Sequence, residues 1–399
     1  MEPVKSSREL AILCLCAVED KRLLVNEAMD TLPHALDTKA LAFAHEIIMG
    51  TCRFRPGLMA VLRPYIRNWD KLPSTCQWLL LSATYQILVT KSPDYAVLNE
   101  ANQLTGRLRI KGLKPLVNAV LRRVTQHGRD PWHGMSNKDK TMPVWLSQAV
   151  TALRGDAFCQ RLAETWSVKP NLYGWSEHSG DGRWPPNAVK VEDVTHFLTR
   201  GYVQNISSQA ICELVMSVEG TSLLDMCAAP GGKCLYLARF SEWEITATDI
   251  QSDRLLSVQA NASRLGLADR LSIVPWDQVH GYFDMVLVDA PCSAVGIIAR
   301  HPEIVLHRET LADSVLLKRQ SDLLERAWSF VRAGGRLIYS VCSWDPREVP
   351  NAPTGSSTAP ELNAWAARDS AIEVQGDRFS ILPDTDHDGF CGAMWEKSD

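Results

Sequence analysis

Two cysteines stand just past strand-like apolar runs, each where a side chain could reach a ligand. "VLVDAPCSAVG", Val286 to Gly296, reads as a buried strand that stops at Asp289, turns through Pro291 and presents Cys292. "GGRLIYSVCSW" repeats the arrangement and delivers Cys342. A thiol so placed can ionise and add to an electron-poor carbon, and a neighbouring acid can stabilise the charge that the addition displaces. The competing reading is packing, because free cysteine is a small hydrophobe that cores accept readily.

A third strand-like run ends differently. "SLLDMCAAPGGK" places Gly231 and Gly232 at a strand-to-helix turn, where backbone must approach a ligand closely. The pattern matches neither GxGxxG nor the P-loop. The next strand ends in Asp249, an acid placed to accept both hydroxyls of a ribose, and Asp277 after the following strand could bind an adenine edge. An adenosine-bearing ligand follows, with a dinucleotide and S-adenosylmethionine both open. The cysteines discriminate between them. A dehydrogenase has no general use for two thiols at strand ends, whereas methylation of C5 of cytosine needs one. C5 is a poor nucleophile until a thiolate adds at C6, and an acid near N3 and the exocyclic amine, here Asp289, would stabilise the adduct. Mechanism alone does not say which cysteine attacks.

The elements that must position these residues follow from periodicity. After Ser207, strands and helices alternate through "TSLLDMCAAPGGKCLYLARF", "EITATDIQSDRLLSVQANASRLG", "LSIVPWD", "YFDMVLVDAPCS", "SVLLKRQSDLLERAWSFV" and "GRLIYSVCS". That alternation predicts a mostly parallel, doubly wound sheet with ligands at the carboxyl ends of its strands. "PNAPTGSSTAP" reads as a flexible loop and "DGFCGAMWEK" as a returning edge strand. Residues 6 to about 128 carry helical spacing without a strand pattern. Within them Ala101 to Arg129 has no acidic residue but contains Arg107, Arg109, Lys111, Lys114, Arg122, Arg123 and Arg129, a candidate RNA-facing patch if not a solvated face. Three regions are expected: a helical domain over 1–130, a connector over 131–206 with one short strand pair, and a Rossmann-like domain over 207–399.

Composition bounds the rest. At 399 residues the chain can hold two or three cores, and 22% charged residues with a net charge of -4 give no global attraction to nucleic acid, so such binding must be local. The N-terminus lacks a secretory pattern and no apolar run reaches membrane-spanning length, so a cytoplasmic protein without membrane association is expected. Eleven cysteines without CxxC spacing argue against disulfides and against a metal site. Cys14, Cys16, Cys52, Cys76, Cys159 and Cys212 are read as packing.

"CAAPGGK", "DAPCS" and "YSVCS" together resemble the Nop2/Sun family of RNA 5-methylcytosine methyltransferases, and the helical half resembles a NusB-type RNA-binding fold. The resemblance covers most of the chain. It implies Cys342 as the nucleophile at C6 and Cys292 as the thiol that assists breakdown of the adduct. It further implies S-adenosylmethionine held by Cys227, Ala228, Ala229, Pro230, Gly231, Gly232 and Lys233, by Asp249 at the ribose, and by Asp277, Asp289 and Arg254; a helix-surface cation is the alternative for Arg254. The implied substrate is small-subunit ribosomal RNA and the implied state a monomer. The chain departs from the family at Val341, where threonine is usual, and at Leu306, where an aromatic is common. It also departs in "WDPREVPNAP" after Cys342, and in "KPNLYGWSEHSG", which lacks an Arg-x-Asn element. The connector over 131–206, with a shortened RNA-contacting subdomain, and the altered segment after Cys342 motivate one alternative, an RNA-binding assembly factor with a decayed site. An amino-methyltransferase is disfavoured, because "DAPC" lacks the second proline and the aromatic of an Asn/Asp-Pro-Pro-Tyr turn and would leave Cys342 without a task.

Overall fold

The computed structural model describes residues 3–177, 182 and 184–398. It forms two compact units: Met1–Lys169 with Ile298–Thr310, and Pro170–Ile297 with Leu311–Asp399.

The first unit is helical. Its long helices are Ser7–Lys21, Thr38–Leu62, Ser74–Leu88, Asp94–Arg107 and Lys114–His127. Asp37 starts the second by accepting the Ala40 N–H, satisfying a donor that the helix itself leaves unpaired. Ser74–Leu88 is buried almost all round, and such a helix belongs at the centre of a bundle. Its Gln86 amide donates to the Ser82 carbonyl at 3.0 Å, which pays for part of the polarity that "SATYQ" brings into the core. Four further helices, Arg129–Gly134, Asn137–Thr141, Val144–Arg154 and Asp156–Trp166, carry helical structure past residue 128.

The segment Ile298–Thr310, which interrupts the second unit in sequence, packs as part of the helical one. Arg53 donates to the Ala299 carbonyl at 2.6 Å, the Val25 N–H to Glu303 Oε1 at 3.3 Å, and Leu306 joins the helical core. An aliphatic side chain suffices at 306 for that reason.

The second unit begins with three short antiparallel strands, β1 (Tyr173–Ser176), β2 (Val189–Lys190) and β3 (Gly201–Val203), in the order β2-β1-β3. Residues 178–181 and 183, within the Gly- and Trp-rich run of the expected connector, lie outside the described residues. The large sheet holds β4 (Ser222–Asp225), β5 (Glu244–Ala247), β6 (Leu271–Ile273), β7 (Phe283–Asp289), β8 (Val331–Val341), β9 (Ser356–Thr358), β10 (Ile372–Gln375), β11 (Arg378–Ile381) and β12 (Phe390–Lys397). Their order is β10-β11-β12-β8-β7-β4-β5-β6, with β9 paired to β12. The run β8-β7-β4-β5-β6 is parallel, as the alternation predicts, and its order reverses on either side of β4, the position where such sheets open a ligand crevice.

Two expectations are corrected. β12 is an interior strand, antiparallel to both β8 and β11. Phe390 to Trp395 are all buried, and an unbroken apolar run needs cover on both faces. The stretch after Pro350 is not wholly loop, because Ser356–Thr358 pairs with the far end of β12.

Candidate active site

Register delivers the two thiols to one place. β7 and β8 run parallel with Asp289 opposite Ser340, and the Ala290 N–H donates to the Ser340 carbonyl at 2.9 Å. The two strands therefore end level. Three residues beyond Asp289 lies Cys292 and two beyond Ser340 lies Cys342, and their Sγ atoms are 3.2 Å apart. The hydrogen bond to Cys342 and burial push the Cys292 thiol well above its ordinary value. Val341, buried and opposite Cys391 of β12, packs in the sheet, so a β-branched apolar residue fits where the family prefers threonine.

Asp289 is held beside the thiols. Its Oδ2 lies 2.5 Å from Lys233 Nζ and its Oδ1 accepts from Ser340 Oγ at 3.1 Å. Lys233 is buried on the first turn of helix Gly232–Phe240, with Nζ 5.6 Å above the Phe390 ring. Burial pulls its pKa down, but the Asp289 carboxylate outweighs this and the net shift is upward, so the ammonium persists.

The glycine turn lies at the end of β4. Gly231 has φ of 112°, which a side chain would strain, and a Cβ there would sit 2.7 Å from Leu235. The loop is pinned by the Ala228 N–H to the Thr248 carbonyl (2.9 Å) and by Arg254 to the Ala229 carbonyl (3.1 Å). Arg254 also lies 3.4 Å from Asp249 Oδ2, so it braces both the loop and the acid after β5. Asp249 is buried and its Oδ1 accepts the Gln251 N–H at 3.0 Å. Asp277 is exposed on a short turn after β6. Among the described residues, the buried Asp225 Oδ1 and Thr248 Oγ1 have no hydrogen-bond partner. Burial pushes Asp225 up to about 7. Cys227, Asp225, Thr248 and Asp249 thus ring the ends of β4 and β5 with unspent polar capacity, a cradle suited to a nucleoside-bearing ligand.

Sequence reasoning missed a carboxylate behind the thiols. Glu348, fully buried on a short turn after Cys342, accepts from the Ser293 N–H (2.8 Å), Ser343 Oγ (2.6 Å), Gln320 Nε2 (3.0 Å) and Ser293 Oγ. The only signal was one of two acids in "WDPREVPNAP", a stretch read there as a departure. In the helical unit all seven cations from Arg107 to Arg129 are exposed; Arg107 pairs with Glu9 at 3.3 Å and Arg129 with Asp94 at 2.9 Å.

Comparison with known proteins follows these divisions. Residues 213–391 match the family described as 16S rRNA methyltransferase RsmB/F, and residues 5–126 match the NusB family. Over 381 residues the chain is 32% identical to ribosomal RNA small subunit methyltransferase B of Xanthomonas campestris pv. campestris, covering 86% of this chain and 85% of that protein. The chain belongs to the RsmB/F methyltransferase family. The protein of the same name from Proteus mirabilis is 28% identical, covering 86% of this chain and 89% of that one. The crystal structure of PH0851 superposes with a TM-score of 0.71 at 16% identity, covering 98% of this chain and 99% of that one, a likeness of fold. The Nop2/Sun resemblance is thereby borne out, as are the NusB-like helical region and the Rossmann-like sheet of this RsmB/F member. Its cofactor is S-adenosylmethionine, and the cradle at β4 and β5 fits that group. Among the described residues, no helix is long and apolar enough to cross a membrane.

Proposed function

We propose that this RsmB/F member methylates C5 of a specific cytosine in small-subunit ribosomal RNA through a covalent bond between Cys342 Sγ and C6 of the base. The observation that carries the reading is the pair of thiols 3.2 Å apart beside Asp289, at strand ends next to the glycine turn.

Cys342 adds as thiolate to C6, and the displaced electron pair makes C5 nucleophilic. Asp289, oriented by Lys233 and Ser340, would face N3 and the exocyclic amine, where charge shifts during addition. Bound S-adenosylmethionine supplies the methyl group. Loss of the C5 proton to a water molecule then returns the electrons to the ring and breaks the C6–S bond. Cys292 is held protonated, so at 3.2 Å it suits proton donation to the departing Cys342 sulfur better than attack. Asp249, braced by Arg254, would hold the ribose of the cofactor, Asp277 the adenine, and Cys227 to Lys233 the methionine portion. The target base must be unpaired or flipped to reach the thiols. The helical unit, with its exposed cations, would hold surrounding RNA phosphates.

The test is methyl transfer from labelled S-adenosylmethionine to small-subunit RNA from cells lacking the corresponding modification, followed by nucleoside analysis. Label in 5-methylcytosine that vanishes with Cys342→Ala is expected. Label in any other nucleoside, or label that survives the substitution, would refute the chemistry.

A further inference from the structure

Glu348 joins the residues that follow the two reacting thiols. Ser293 is the next residue after Cys292, and Ser343 the next after Cys342. One carboxylate takes hydrogen bonds from both: Oε1 from Ser343 Oγ at 2.6 Å and from Ser293 Oγ, Oε2 from the Ser293 N–H at 2.8 Å. Gln320, on helix Ser314–Ser329, donates to Oε2 at 3.0 Å and also to the Pro291 carbonyl at 2.9 Å, which fixes the turn on the other side of Cys292. Glu348 and Gln320 are both buried, at 0% and 1% exposure, so water does not compete for these bonds.

We propose that Glu348 is a positioning residue that sets the separation and orientation of Cys292 and Cys342, and with them the step that releases the methylated base. The inference rests on the reading of these cysteines as the reacting thiols. A buried carboxylate raises nearby thiol pKa values, and Glu348 acts on Cys292 in that direction, so its role is not to ionise a nucleophile. What it supplies is one carboxylate accepting from three donors on two separate loops and from a fourth on the helix behind them. The loops leave adjacent strands and have no covalent tie to each other. The Asp345 N–H donates to Ser343 Oγ at 3.0 Å, which leaves the Ser343 hydroxyl hydrogen free to point at Glu348. An amide, with one acceptor oxygen in place of two, therefore cannot accept all four bonds. A glutamine would turn its N–H2 group either against the Ser293 N–H and the Gln320 amide, donor against donor, or against the two serine oxygens, whose hydroxyl hydrogens must then leave for other acceptors.

Two readouts test this, one independent of methylation. The first is the rate at which a diazenedicarboxamide oxidant couples Cys292 to Cys342; both S–H bonds break, one S–S bond forms, and the reagent takes up two hydrogens and two electrons. The second is steady-state methylation of small-subunit RNA. Glu348→Gln is expected to slow coupling at least tenfold and to lower kcat at least tenfold. KM for RNA and the dissociation constant for S-adenosylmethionine should stay within threefold, which a general loss of folding would not allow. Gln320→Ala, which removes one donor of four, should give a smaller loss of about twofold to fivefold in both rates. A folded Glu348→Gln protein that couples its thiols and turns over at the parental rate overturns the proposal, as does lost turnover with parental coupling. If Glu348→Gln does not fold, Ser343→Ala decides, with slowed coupling expected and parental coupling refuting. Absence of 5-methylcytosine from the parent, with coupling still slowed by Glu348→Gln, would remove the proposed function and leave the placement of the thiols by Glu348 standing.

Discussion

The loop between β11 and β12 should give this chain a pH-dependent component of stability traceable to one histidine. His387 is 12% exposed, with Nδ1 3.1 Å from Asp384 and Nε2 3.1 Å from Asp369. Burial lowers its pKa, the two carboxylates more than restore it, and the result stands at about 9 against an ordinary 6.5. A group whose folded value is raised stabilises fully below the unfolded value and loses that contribution as pH climbs through the folded one. The shift corresponds to about 3 kcal/mol below pH 6, about 2 kcal/mol at pH 7.5 and under about 0.5 kcal/mol at pH 9. Asp369 and Asp384 both sit below the ordinary carboxylate value, so they stay ionised across that window and His387 supplies the slope. The loop matters to the site because it backs onto the strand end that carries Cys342. The Gly389 N–H donates to the Gly296 carbonyl at 2.9 Å and the Gly296 N–H to the Cys342 carbonyl at 3.1 Å. Denaturant unfolding of the parent and His387→Gln at pH 6, 7.5 and 9 measures the effect. The expected difference shrinks by about 3 kcal/mol from pH 6 to pH 9 on top of a pH-independent packing loss. A difference that stays constant within about 0.5 kcal/mol would refute the charge argument.

Further substitutions test the site. Cys292→Ala should accumulate a slow-migrating protein–RNA adduct through Cys342, seen on denaturing gels and absent from the double Cys292→Ala/Cys342→Ala protein; its absence from the single variant would contradict the division of roles. In alkylation followed by mass spectrometry, Cys342 should react at neutral pH well before Cys14 or Cys76, which burial pushes up to about 12 and about 11. Gly296→Ala should cost at least about 3 kcal/mol in thermal or denaturant unfolding, because the new Cβ would overlap the Gly389 carbonyl and lie 2.8 Å from the Cys342 carbonyl, backbone that cannot rotate away. Asp225→Asn should stabilise the cofactor-free protein, and more so at pH 8 than at pH 5 by about 2–3 kcal/mol, since the unfolded carboxyl ionises above its ordinary 3.8 while the folded one stays protonated up to about 7.

The parts legible in the sequence were those written in local pattern. Strand runs that end in Asp225 and Asp289, Asp249 just past β5, the glycines of "CAAPGGK", and cysteines just past two strands all fall where the periodicity places them. Helical spacing likewise located Ser7–Lys21 through Lys114–His127. What was not legible depends on which strand lies beside which. "DGFCGAMWEK" reads the same whether it closes a sheet at its edge or between β8 and β11, and pairing with Ser340 and Val341 on one side and Phe379 and Ser380 on the other decided it. The short reach between Cys292 and Cys342 comes from the parallel register of Asp289 with Ser340, a fact about two segments fifty residues apart.

Glu348 shows how such a register creates a demand that no local pattern announces. Two strands that end level expose two turns, each with a thiol and a following serine, and the turns need an acceptor between them if their N–H and O–H groups are to be buried. A single carboxylate six residues after Cys342 meets that demand with both oxygens. In sequence it is one acid in a stretch that departs from the family's pattern; in the fold it faces the turn on the opposite strand. The departure in "WDPREVPNAP" therefore falls around a retained acceptor, because the carboxylate must sit at that depth behind the thiols whatever the surrounding residues are. That weighs against a decayed site: a pocket no longer in use would have no reason to keep a buried anion aligned on the two cysteines.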